Sequence, residues 1–222
     1  MRYTRCFPLF LVGILGLSVA AQQQNQNGSI IAQQVSLPGQ ETTADDYIAN
    51  VLRADGLRGG IEEKADRCPQ TTYYQYPPFA GSVGDALRSV ILPTGSHYAM
   101  AEIEGALLIQ SNPEKQSLLD TNIASFSFQP DENPIQIQGK LFALPEVRKR
   151  AQELKLQEWE GELGFSTGKE HSAVAKPIKV ENMTLRNALM VITATHEHRL
   201  LWLYEESTCK GRNGSRFNWL SR

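Results

Sequence analysis

The chain has no excess of charge of either sign. Its 222 residues include 22 basic and 24 acidic, for a formal net charge of −2. That balance excludes the electrostatic footprint of a nucleic-acid binder and the polybasic tail that would seek an anionic membrane. Beyond the N-terminus no apolar run is long enough to span a bilayer. There is no P-loop, no dinucleotide G-x-G-x-x-G and no zincin H-E-x-x-H, so no cofactor is expected from motifs. Cysteine is scarce at three residues, Cys6, Cys68 and Cys209.

What is present starts at the N-terminus. Arg2 and Arg5 precede an apolar run from Phe7 to Val19, and small residues follow at Ser18-Val19-Ala20 or Val19-Ala20-Ala21. The chain then turns polar at "QQQNQNGS". This is the pattern of a secretory signal peptide over 1–21, and the run is short for a membrane anchor. The expected product is a secreted or periplasmic soluble protein. Cys6 precedes the apolar run, where lipidation does not occur. Removal of the signal leaves Cys68 and Cys209, both in polar, turn-like surroundings, and an oxidising compartment predicts a disulfide between them. A loop this long would contribute roughly 4–5 kcal/mol by the chain-entropy model.

The mature chain reads as α+β. Residues 22–43 are rich in Gln, Asn and Ser without a helical or strand period and are expected to be a disordered leader. A first α+β unit spans 44–120. In it Tyr47, Ile48, Val51 and Leu52 form one apolar helix face, ended by Gly59-Gly60. "CPQTTYYQYPPF" is extended because of Pro77-Pro78, and its Tyr73, Tyr74 and Tyr76 either pack on the domain or form an aromatic binding strip. Ser82 is the expected N-cap of a second helix with Val83, Ala86, Leu87 and Val90 inward, followed by two strands around Glu104-Gly105.

A middle β-α-β unit spans 121–166, with Phe126 and Phe128 on one strand face. Its helix starts at Pro145 and buries Val147, Ala151 and Leu154, and "GELGF" supplies its second strand. A C-terminal unit spans 167–222: a strand at "PIKVEN", a helix burying Leu185, Ala188, Leu189 and Ile192, then an aromatic strand. Aligning Ala86-Leu87 with Ala188-Leu189 superposes Val83 on Leu185, Val90 on Ile192 and Met100 on Trp202, which points to a repeated supersecondary unit, present two or three times.

"PIKVENMTLRNALMVITATHEHRLLWLYEE" resembles the short α+β domain at the N-termini of secretins and TonB-dependent receptors. Val180, Thr184-Leu185, Ala188-Leu189, Ile192 and Trp202–Tyr204 carry the likeness, and Ala86-Leu87 with Val90 repeat it more faintly. The whole chain is similar to secreted bacterial proteins, of the acidobacterial sort, that carry such units without a channel or receptor body. The resemblance implies protein–protein interaction in the cell envelope and no catalysis, with the partner left open.

Five other features bear on chemistry or capping. His196-Glu197-His198 sits where the helix gives way to the strand. It is either a polar turn complementing the helix C-terminus or, with His97, His171 or Glu205, part of a metal site serving a hydrolase. "AGSVG" imitates a nucleophile elbow but lacks the buried strand that such a motif needs before it. Glu102, Glu104, Glu160 and Glu162 read as the solvated face of a sheet. Trp202 and Tyr204 share a strand face and face either the core or a ligand. Asn182 is the expected cap of the last helix.

Overall fold

The structure is a computed structural model, and it describes residues 29–68, 71–90, 97–158, 176–196 and 200–220. The segment expected to be a signal peptide, "GELGF", His171 and His198 lie outside the described residues. The fold is α+β, and its organising feature is an internal duplication.

The first copy begins before the expected boundary. A 3-10 turn at Ile30–Ala32 leads into β1 (Gln34–Leu37) and β2 (Gln40–Thr42). The expectation of a disordered leader therefore fails from residue 29 onward. Ile30, Val35 and Leu37 are buried, and these sparse apolar side chains are enough to fix a short strand against helices. Helix α1 (Ala44–Ala54) is capped by Thr43, whose hydroxyl accepts from Asp46 N at 3.2 Å. It buries Tyr47, Ile48, Val51 and Leu52 as its periodicity requires. Gly56, not Gly59-Gly60, ends it: Gly56 has φ 62°, and Leu57 N donates to Leu52 O across it, a Schellman-type stop.

Gly59 and Gly60 instead open β3 (Gly59–Ala65), a strand with no strong apolar signature. They are glycines because of what approaches them. A Cβ on Gly59 would run into the Leu107 carbonyl, and one on Gly60 into the Trp202 ring. β4 (Tyr74–Tyr76) pairs with β2, and β5 (Phe79–Ser82) pairs with β1. Helix α2 (Val83–Arg88) is capped by Ser82, which accepts from Asp85 N at 3.1 Å. β6 (Ala99–Ile103) and β7 (Ala106–Gln110) form a hairpin, with Glu104 and Gly105 at φ 52° and 77°.

The second copy repeats the order of this frame, with two helices in place of one and no counterpart of the β2–β4 pair. A 3-10 turn at Leu118–Asp120 precedes β8 (Asn122–Phe128). Helices α3 (Pro134–Phe142) and α4 (Pro145–Glu153), then β9 (Leu156–Glu158), stand in the place of α1 and β3. β10 (Ile178–Thr184), helix α5 (Leu185–Thr195) and the β11–β12 hairpin (Leu201–Cys209, Arg212–Leu220) complete it. Val83 N donates to Gln33 O at 2.8 Å, and Leu185 N to Thr121 O at 2.7 Å. The N-caps Ser82 and Thr184 face the first residues of β1 and β8, Gln34 and Asn122. The hairpin turn recurs at Lys210 and Gly211, φ 51° and 77°. The copies thus match Val83 with Leu185, as the sequence alignment has it. The hairpin turns, however, match Ile103 with Cys209, so β11 is the longer strand and Met100 does not correspond to Trp202. The segments 121–166 and 167–222, read as separate units, are the two halves of one copy: β8 pairs with β10, and β9 with β12.

The two copies share one six-stranded sheet, in the order β6-β7-β3-β11-β12-β9. The seam is the parallel pairing of β3 with β11, from Gly59 opposite Leu201 to Ala65 opposite Ser207. β6 runs antiparallel to β7, while β7, β3 and β11 run parallel. β11 is therefore reversed relative to its counterpart β6: the second copy is turned over, and its helices pack on the opposite sheet face. One core holds α1 and α2 against Ile61, Leu107, Ile109, Leu201 and Leu203. The other holds α3, α4 and α5 against Ala106, Leu108, Trp202, Tyr204, Phe217 and Trp219. β11 is covered on both faces, which is why "LWLY" does not alternate.

Cys68 and Cys209 form the expected disulfide just beyond the seam, with Cα atoms 4.2 Å apart. Among the described residues no helix is long and apolar enough to cross a membrane. A Gly60→Ala substitution drives a methyl into the Trp202 indole and is expected to cost about 2–3 kcal/mol. Thermal unfolding measures it, and an unchanged midpoint would show that the ring moves freely aside.

Candidate functional site

The seam brings together two clusters of ionisable groups, one on each sheet face. Alternation along β3 points Ile61 and Glu63 to the α1 face and Gly60, Glu62 and Lys64 to the α5 face. Along β11 it does the same for Glu205 and Glu206. Each face consequently receives its own set of charges.

On the α5 face Glu62 is completely buried. Arg186, in the first turn of α5, grips it in bidentate fashion, Nε to Oε2 at 2.6 Å and Nη2 to Oε1 at 2.8 Å. Its remaining nitrogen Nη1 donates to Asp120 Oδ1 at 2.5 Å. Gln110 Nε2 donates to Glu62 Oε2 at 2.8 Å, and Lys64 Nζ lies 3.6 Å from Oε1. Burial alone would raise the Glu62 carboxyl, but the Arg186 hydrogen bonds and charge, with Lys64 and Gln110, hold it below its ordinary value. Alongside, Glu206 accepts from Ser117 Oγ, Leu118 N and Tyr204 OH at 3.0, 2.5 and 2.5 Å. These contacts tie β11 to the 3-10 turn of the second copy.

On the α1 face three carboxylates converge: Asp45 from the first turn of α1, Glu63 from β3 and Glu205 from β11. One oxygen of each lies within 4.8 Å of the others, and Glu63 and Glu205 are direct partners across the seam. Tyr98 OH donates to Glu63, and Arg216 pairs with Glu205. Burial, then the charge of Glu63 and a hydrogen bond shared with it, then Glu205 and Asp46, push Asp45 from 3.8 up to about 9. At neutral pH the trio holds a proton. Its oxygen-only donor set is the kind that suits a hard divalent cation rather than a transition metal. Sequence reasoning missed this trio because its members come from three distant segments, one of them an unrecognised strand.

The residues singled out from sequence do not converge. His196 is buried at the end of α5, its Nε2 3.0 Å from Glu132 O. It is not part of the carboxylate trio, the group of possible metal ligands among the described residues. His97 is exposed. Ser82 is a cap, as expected, while Thr184 rather than Asn182 caps α5. Asn182 lies inside β10 with φ 50°. Trp202 and Tyr204 were candidates for an interaction surface, and burial corrects that: both are 0% exposed in the second core, because their strand is central rather than peripheral. Tyr76 stacks on Tyr47 at 3.9 Å, and Tyr74 meets Tyr76 edge-on at 6.2 Å. Tyr73 alone of the three stands out, at 61% exposed.

Comparisons of this chain with protein-family models, with curated proteins and with solved structures find no match.

Two predictions follow from the seam's two faces. Arg186→Met strands a buried carboxylate and is expected to cost about 3–5 kcal/mol, whereas the double change Glu62→Gln with Arg186→Met recovers much of it. Urea unfolding of the three proteins checks this, and additive losses would contradict it. Asp45, raised in the fold, keeps a proton that the unfolded chain releases above about pH 4, so its contribution falls as pH climbs from about 4 towards 9. Asp45→Asn should therefore gain stability relative to the natural chain between about pH 5 and 9. A pH-independent difference would refute the assignment.

Proposed function

We propose that this protein is a secreted or periplasmic, non-enzymatic interaction module that docks another protein of the cell envelope. It would be built from two fused units of the kind found at the N-termini of secretins and TonB-dependent receptors. Support for the family reading comes from where the motif residues lie. Thr184 caps α5, Leu185, Ala188, Leu189 and Ile192 form its buried face, and Trp202 and Tyr204 lie on the strand that follows. The Cys68–Cys209 disulfide suits an oxidising extracytoplasmic compartment, as does the expected signal peptide.

What the copies share is scaffold: capping, strand register and apolar packing. Their polar groups are not repeated. Arg186, which follows Leu185, has Gly84 as its counterpart after Val83. A duplicated frame with unshared polar residues favours a docking role over a duplicated chemistry.

The observation that carries the reading is the outer edge of β6. Among the described residues no strand pairs with that edge; Ala101 is exposed along it, and the carboxylate of neighbouring Glu102 accepts from Ser29 Oγ and from Ile31 N at 3.2 Å. Such an edge offers ordered backbone donors and acceptors to an added strand. A photo-crosslinking residue at Ala101 is expected to capture an envelope protein, while one at exposed Gln152 on α4 captures none. Equal labelling at both positions, or none at either, would overturn the reading. So would stoichiometric transition metal in the purified protein, which would instead favour a metal-dependent hydrolase using His196 and His198.

A further inference from the structure

The end of the large sheet at which β3 and β11 finish gathers four cations that are far apart in sequence. Arg67 follows β3, Lys210 stands in the β11–β12 turn, and Arg212 opens β12 opposite Cys209. Lys155 immediately precedes β9, whose first residue, Leu156, pairs with Asn213. All four are exposed. None has an acidic partner among the described residues.

Their backbone positions are fixed. The disulfide sets the Cα atoms of Cys68 and Cys209 4.2 Å apart, so those of Arg67 and Lys210, each one residue away, are within about 12 Å. The tight turn at Lys210-Gly211 fixes Arg212 beside them. Asn213 Nδ2 donates to Leu154 O at 2.9 Å, which holds Lys155 at the same end. From β3 to β9 the row crosses three strand spacings, about 14 Å.

Of the acids nearby, all but Glu114 are engaged elsewhere. Asp66 pairs with Lys115, Glu153 with Arg150, and Glu205 with Arg216. Glu63 accepts from Tyr98 and shares a hydrogen bond with Asp45. Glu114, in the loop that carries Lys115, lies on the β7 flank of the row.

We propose that this row docks the protein onto a membrane that carries anionic phospholipid headgroups. The chain as a whole is slightly acidic, so attraction to such a surface has to be local. The cations are spread along the end of a sheet rather than converging on one point. A cleft of about 420 Å³ is lined by other residues, among them Ser127, Asp131 and Lys140. A spread row meets many phosphates at once, whereas a single small anion needs convergent donors. The attraction is screened by salt. This surface is distinct from the β6 edge and stands whether or not a protein docks there.

The test uses the full mature protein with its disulfide intact, mixed with vesicles of phosphatidylcholine with or without phosphatidylglycerol and read by flotation. Binding is expected only to the anionic vesicles and should weaken as sodium chloride rises. In the double variant Lys210→Gln with Arg212→Gln it should fall roughly thirtyfold while circular dichroism and melting stay unchanged. Equal binding to neutral vesicles, no binding to either, or undiminished binding by the variant would overturn the proposal. Displacement by inorganic phosphate at matched ionic strength would also overturn it, assigning the row to a discrete anion.

Discussion

The buried pair of Glu62 and Arg186 is the interaction on which the rest of the structure depends. Glu62 belongs to the first copy and Arg186 to the second, and a fully buried carboxylate is tolerable only with a partner that satisfies both its oxygens. The pair therefore fixes α5 behind β3. With α5 in place, β11 can lie only beside β3, and the sheet becomes continuous across the two copies. The Trp202 ring then fills the space that a Cβ on Gly60 would take. The disulfide closes the far end of the same seam.

This arrangement explains why the second copy is turned over. Two copies related by simple translation would place all helices on one sheet face and leave the other exposed. Reversal covers both faces, so β3 and β11 become central strands with one core on each side. It also brings Glu63 and Glu205 face to face on the α1 side. That repulsion is accommodated by a retained proton, by Tyr98 and by Arg216. The seam thus has one face neutralised by opposite charge and another neutralised by protonation, and acid and base act on them in opposite senses.

Legibility from sequence followed periodicity. α1, α2 and α5 are readable because each keeps an apolar face, and the Val83–Leu185 equivalence is readable because helix spacing survives in both copies; α4 is readable from Pro145 at its start, but of its expected face only Val147 is buried, Ala151 being half-buried and Leu154 its C-cap. β3 is not readable, since "GGIEEKA" has a single large apolar residue and its glycines look like a stop signal. Their meaning lies in the Trp202 ring and the Leu107 carbonyl, which arrive from other segments. α3 has a local signal of its own: Asn133 caps it and Pro134 opens it, with Ile137 and Leu141 one turn apart. β12 carried another in Phe217 and Trp219, alternating and both buried. The carboxylate trio and the cation row had no local signal at all, because the seam and the disulfide assemble them from separate segments.

Through the β3–β11 seam the two copies should behave as one cooperative body. Native-state hydrogen exchange tests this directly. If the seam is the centre of the fold, the amides of Ile61 to Lys64 and of Trp202 to Glu205 exchange only with global unfolding and share one opening free energy. If β3 exchanges with a free energy well below that of β11, or the two halves open independently, the seam is only a contact between separate domains, contrary to a single cooperative fold.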